Sequence, residues 1–109
     1  MKGLRIEHDP SQGVVTANDL HTHDRVGIIF YDNHGSTVII NWLSTDPVAR
    51  RSGVATAMLD YVRDNINSHI TLGTQTNNTV ARQFYANYGF KPMGRVRLEP
   101  SSIVLAYTN

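Results

Sequence analysis

The apolar residues of this chain change their period once, at a single break. Before Asp46-Pro47 they alternate with polar residues or fill short β-branched runs: Leu4-Arg5-Ile6-Glu7, then Val14-Val15, then Val26 to Phe30, then Val38-Ile39-Ile40 with Trp42 and Leu43. Turn-forming clusters separate the runs, namely Asp9-Pro10-Ser11-Gln12-Gly13, His21-Thr22-His23-Asp24 and Asp32-Asn33-His34-Gly35. Runs so short, punctuated so regularly, predict an antiparallel meander of four strands. After the break, Ala55, Met58, Leu59, Val62 and Ile66 fall at helical spacing with one apolar stripe. Ile70 to Leu72 reads as a short strand. A second helix follows on Ala81, Phe84, Tyr85 and Tyr88, with Thr76-Asn77-Asn78 offering capping side chains. Gly89 suits the left-handed position that ends a helix, and Phe90 the apolar contact just beyond it. Final strands are expected near 91–96 and 103–107. The order β-β-β-β-α-β-α-β-β predicts an α+β fold with a mixed α/β sheet.

With 109 residues the chain is expected to form one domain spanning residues 1–109. Ten Lys+Arg against nine Asp+Glu give a net charge of +1, so no general electrostatic grip on nucleic acid or anionic membrane is expected. No apolar run approaches the roughly 18 residues that cross a bilayer, and Met1-Lys2-Gly3-Leu4-Arg5 lacks the apolar core of a secretion signal. The chain has no cysteine, which excludes disulfides, thiolate metal sites and a cysteine-bound intermediate. The cytoplasm is the expected compartment.

One junction carries chemistry. Leu43-Ser44-Thr45-Asp46-Pro47-Val48-Ala49-Arg50-Arg51-Ser52-Gly53-Val54-Ala55-Thr56 runs from a strand through a tight turn into a helix. A helix start presents unpaired N–H groups and the positive end of a dipole. Gly53 removes a side chain where a bulky anion must approach, Ala55 keeps the next approach small, and Arg50 and Arg51 add positive charge. These parts suit a pyrophosphate, although taken alone the segment reads more simply as a helix start with two solvated arginines.

A second pattern follows: Asn78-x-x-Ala81-x-x-Phe84-Tyr85-x-x-x-Gly89-Phe90. Taken with Arg50-x-x-Gly53-x-Ala55, it resembles the paired motifs of the GCN5-related N-acetyltransferases, over about residues 26–107. The resemblance implies a GNAT-like fold and direct transfer of an acetyl group from acetyl-CoA to an amine, with no metal. It implies that the fourth and fifth strands splay apart around the pantetheine arm. Backbone groups of Leu43, Ser44 and Thr45 would bond that arm like an added strand. Amides of Arg51, Ser52, Gly53, Val54, Ala55 and Thr56 would wrap the pyrophosphate beside Arg50, and Asn78 would contact the pantetheine end. Tyr85 would protonate the departing thiolate; a phenol with a pKa of about 10 is protonated at neutral pH and able to donate. On its own, Tyr85 reads more simply as a core aromatic beside Phe84, since both lie on the apolar stripe.

The chain departs from the family pattern twice. Many relatives carry a glutamate eleven residues before the Arg50 position, or five before the Asn78 position; here these are Ile39 and Gly73. Asp46, His21, His23, a water chain or a group on the acceptor are left to take the amine's proton. Relatives also place one or two helices between their first two strands, where this chain has room only for a turn between Ile6 and Val14. The acceptor face is therefore expected to be open, to receive something large such as a protein amine or to be completed by a second copy in a homodimer. The competing reading is a non-catalytic acyl-CoA-binding or interaction module.

The remaining constellations are weaker. His21-x-His23-Asp24 alternates like a metal site but reads more simply as a hairpin loop; His8, His34 and His69 read as surface or loop residues. Trp42 and Tyr31 read as sheet packing. Arg95-Val96-Arg97 reads as a solvated edge strand, or as a seat for the adenosine 3′-phosphate.

Overall fold

The structure is a computed structural model, described here for residues 3–47, 53–93 and 102–108. Four strands come first: β1 (Leu4–Asp9), β2 (Val14–Asp19), β3 (Arg25–Asn33) and β4 (Val38–Thr45). They pair antiparallel in sequence order, as the turn clusters predict. Helix α1 (Val54–Asn65) then crosses over to β5 (Ile70–Gln75), which pairs parallel to β4. Helix α2 (Thr79–Tyr88) leads to β6 (Lys91–Pro92), and β7 (Ser102–Tyr107) inserts between β5 and β6. Among the described residues the result is one seven-stranded mixed sheet in the order β1-β2-β3-β4-β5-β7-β6. The arginines Arg95 and Arg97, with residues 94–96 of the expected sixth strand, lie outside the described residues.

Alternation along the strands sorts their side chains. Val15, Ala17, Ile29, Tyr31, Val38, Ile40, Ile70, Leu72 and Leu105 are buried against Val54, Met58, Leu59 and Val62 of α1. Helix α2 adds half-buried Phe84, Tyr85 and Tyr88 to the same core. The Tyr88 hydroxyl donates to Asp60 Oδ1 at 2.7 Å, which ties α2 to α1 on that face. Both crossovers move the same way along the sheet, and right-handed connections put both helices on one side. The other side carries no helix among the described residues. There Phe30 stays 41% exposed and Trp42 60% exposed, although they are cross-strand neighbours on β3 and β4. No helix of the described residues is long and apolar enough to cross a membrane.

His8 departs from the surface reading. It lies half-buried on the helix side of β1, where its Nε2 meets the Tyr31 hydroxyl and its Nδ1 lies 3.2 Å from the Tyr61 hydroxyl of α1. A polar ring can be seated there because each nitrogen has a partner. Tyr31 is buried as expected. Trp42 is in the sheet but not packed away, and its exposed ring stands at the edge of the site described below.

Gly27 sets how closely α1 lies on the sheet. A Cβ there would fall 2.7 Å from both Met58 Cε and Val54 Cγ1. Gly27→Ala is expected to lift the first turn of α1 and cost about 1–3 kcal/mol, the usual range for overpacking a filled core. Thermal denaturation checks the loss, and ligand titration should show the α1 N-terminus displaced with it.

Candidate active site

The register of β4 creates an opening in the sheet. β4 and β5 pair only at Val38↔Ile70, Ile39↔Thr71 and Ile40↔Leu72. β4 then continues to Thr45 along β3, while β5 continues to Gln75 along β7. At the point of parting the β3–β4 register shifts, from Tyr31↔Ile40 to Phe30↔Trp42, leaving Asn41 as the extra residue. A bulge of this kind bends a strand and increases its twist, so β4 turns away from β5. Asn41 is held there by its amide, which donates to Asp32 Oδ2 at 2.8 Å.

The Asp46 N–H donates to the Val26 carbonyl at 2.8 Å, which fixes the alternation along β4. Backbone groups of Ser44, two residues earlier, therefore face β3, whereas those of Leu43 and Thr45 face away from β3 and into the opening. Leu43 and Thr45 thus offer the backbone edge an extended chain could join, and Ser44 lines the same space.

The opening is a cleft of about 920 Å³, lined by Trp42 to Thr45, by Gly53 to Thr56, and by Asn78, Val80, Ala81, Phe84 and Tyr85. Gly53 begins one wall. Its φ of 83° is left-handed, and its carbonyl accepts the first bond of α1, from the Ala57 N–H at 2.9 Å. No side chain caps this helix start, and its first turn holds no acidic residue. The N–H groups of Val54, Ala55 and Thr56 consequently have no acceptor within the helix and carry the positive end of its dipole. This wall suits an anion. Arg50, Arg51 and Ser52, expected to complete it, lie outside the described residues.

The other wall is α2. Asn78 caps it, accepting the Ala81 N–H at 3.2 Å through Oδ1, which leaves the amide N–H groups as donors beside the cleft. At the far end, the Gly89 and Phe90 N–H groups close the helix on the Tyr85 carbonyl. Gly89 has φ 123°, and a Cβ there would meet the Tyr107 ring at 3.0 Å. Phe90 is buried beyond it, as the motif predicts.

Tyr85 is clamped between two rings. Phe84 and Phe90 each meet it edge-on, with centroids 5.4 Å away. Burial pushes its phenol above the ordinary value, because a phenolate would lose hydration there. Tyr85 therefore lines the cleft with its phenol protonated at neutral pH.

Ile39 and Gly73 stand on the two strands at the parting and bring no carboxylate to it. Asp46, His21 and His23 do not line the cleft. The two histidines sit in the β2–β3 turn, which Asp19 organises: its Oδ1 accepts the His21 N–H at 2.7 Å and the Thr22 N–H at 3.0 Å. Among the described residues no group of three metal-ligating side chains could hold an ion. Trp42, Val80, Ala81 and Phe84 are cleft residues that the motif reading did not assign to the site. Trp42 carried a usable signal, an aromatic residue just before the strand segment expected to bind the cofactor.

Comparison with known proteins agrees with this architecture. The family model described as the GNAT acetyltransferase domain matches residues 9–92. No curated protein sequence matches the chain. The solved structure of PaiA N-acetyltransferase from Thermoplasma acidophilum, in complex with coenzyme A, is similar over 88% of this chain with a TM-score of 0.76 at 15% identity. This chain spans 60% of that protein. The ribosomal-protein-S18-alanine N-acetyltransferase of Escherichia coli is similar over 98% of this chain and 70% of its own, with TM-score 0.70 and 13% identity. Nourseothricin acetyltransferase is similar over 95% and 82%, with TM-score 0.71 and 16% identity.

Proposed function

We propose that this chain, which belongs to the GNAT acetyltransferase domain family, transfers an acetyl group from acetyl-CoA directly to a primary amine. One observation carries the reading: a single cleft has an uncapped helix N-terminus on one wall and the half-buried phenol of Tyr85 on the other. Gly53, Val54, Ala55 and Thr56, with Arg50, Arg51 and Ser52, bind the pyrophosphate. Leu43 and Thr45 bond the pantetheine arm as a strand would, with Ser44 beside it, and Asn78 donates to its end. Coenzyme A bound to a relative of the same fold supports this assignment.

The thioester supplies an already activated acyl group, so the protein's part is position and polarisation. The amine lone pair attacks the thioester carbonyl carbon, the C–N bond forms and the C–S bond breaks. Tyr85 donates its proton to the departing sulfur, and the proton that the amine releases restores the phenol by way of water. No carboxylate from β4 or β5 stands at the parting to take that proton first. The enzyme therefore depends on acceptor molecules that are already deprotonated.

That dependence has a sign. Raising the pH increases the free-amine fraction, and because burial holds the Tyr85 phenol above its ordinary value, the acid form survives past pH ~10. The rate at subsaturating acceptor should climb steadily from pH 6 to 10 with no descending limb. A decline beginning below pH 10 would show that another group supplies the proton.

The acceptor is a polypeptide amine. Trp42 lines the cleft and also belongs to the helix-free face, where Phe30 pairs with it and Ile39 lies further along β4. An acceptor that covers these rings gains by burying them, which a small amine cannot do. Acetylation of peptides should therefore be faster than that of free lysine or polyamines, and Trp42→Ala should erase the preference. The bare parting at Ile39 and Gly73 favours one other reading, a module that binds acyl-CoA without turning it over. A thiol-release assay with peptide acceptors separates the two.

A further inference from the structure

We infer that β1 pairs with β1 of a second copy of this chain, antiparallel and centred on Ile6, to join two sheets into one. Among the described residues β1 is hydrogen-bonded to β2 alone and ends the sheet. The Leu20 N–H donates to the Gly3 carbonyl at 2.8 Å, so Gly3 faces β2. By alternation the backbone groups of Arg5, Glu7 and Asp9 face β2 as well, while those of Leu4, Ile6 and His8 face outward. An outward row of this kind is a template for another strand.

Charge selects the occupant and the register. Arg5, Glu7 and Asp9 are exposed on the helix-free side, and Leu4, Ile6 and His8 are half-buried on the helix side. Antiparallel pairing of two identical strands through the outward groups allows a short series of registers. Centring on Arg5 sets the two Arg5 side chains against each other, and centring on Glu7 sets Glu7 against Glu7. Centring on Ile6 makes Ile6 a hydrogen-bonded pair with its own copy and sets Arg5 opposite Glu7 twice. Those are close, non-hydrogen-bonded positions, where opposite charges attract most. Leu4 then meets His8 on the other side, extending the core layer across the junction. Asn18 donates to Glu7 Oε1 at 2.7 Å, holding that carboxylate along the strand with its second oxygen left for Arg5 of the other copy. The two-fold axis runs perpendicular to the sheet, so both copies present their helix-free faces to the same side. A symmetric pair of this kind closes on itself and cannot grow into a fibre.

The inference is independent of the cleft's chemistry and is tested without it, by sedimentation of the full chain over a concentration series up to about millimolar. The unaltered protein should dimerise, and less so in high salt. Arg5→Glu and Glu7→Arg should each weaken self-association about tenfold or more, because each turns two attractions into two repulsions. Mixing the two variants should restore a dimer, since both carboxylates of the first variant's strand then face guanidinium groups of the second. Circular dichroism of each variant shows whether it remains folded, and Ile6→Pro, which removes the outward N–H, should leave a monomer whatever the salt. A monomeric unaltered protein would overturn the inference. So would a dimer indifferent to both charge reversals, or a mixture that stays monomeric.

Discussion

Tyr85→Phe lowers turnover by about 10²–10⁴-fold while acetyl-CoA still binds nearly as before; that is the expected result for a group that acts on the leaving thiolate. The substitution removes one oxygen and leaves the ring between Phe84 and Phe90, so the packing that locates residue 85 survives. The loss should therefore appear in kcat rather than in cofactor affinity or thermal stability. Turnover is measured by thiol release with a peptide acceptor, and affinity by calorimetry. Equal turnover in the two proteins would remove Tyr85 from the chemistry and leave it as a core aromatic. A thiolate is a good leaving group even unassisted, so an acceptor with a more basic amine should feel the loss differently from a less basic one.

The motif around Tyr85 was readable because it is local. Asn78 caps, Ala81 gives room, Gly89 ends the helix and Phe90 folds back, all within one turn-helix-turn unit whose geometry each residue dictates. The order of elements was readable for the same reason, since the change of period at Asp46-Pro47 is a property of neighbours in sequence. What escaped depends on partners far along the chain. The bulge at Asn41 has no mark in the run Val38 to Thr45, because it exists only against the register of β3. His8 acquires its role from Tyr31 and Tyr61, which are 23 and 53 residues away. Insertion of β7 between β5 and β6 is likewise a matter of sheet order, which alternation along one strand cannot reveal. Trp42 illustrates the remaining limit. Its apolar character is that of a packed strand residue, yet among the described residues no helix covers that side and the ring is exposed.

Gly53→Val is expected to damage cofactor binding by two separable routes. The backbone there has φ 83° and ψ 14°, a left-handed conformation that a β-branched residue resists. Holding valine in it costs about 1–3 kcal/mol, and relaxing it swings the first turn of α1 out of line. The N–H groups of Val54, Ala55 and Thr56 then no longer converge, and the isopropyl group stands where the diphosphate must lie. Affinity for acetyl-CoA should fall by more than tenfold, a penalty of at least about 1.4 kcal/mol. Gly53→Ala separates the contributions, because alanine keeps most of the backbone penalty but adds only one methyl group. Calorimetry with acetyl-CoA and with dephosphorylated pantetheine thioester resolves them further. Loss confined to the full cofactor places the fault at the diphosphate seat. An equal loss with the truncated thioester, which never reaches α1, would instead mean that the opening between β4 and β5 had itself collapsed. Unaltered affinity in both variants would show that the helix start does not hold the anion at all.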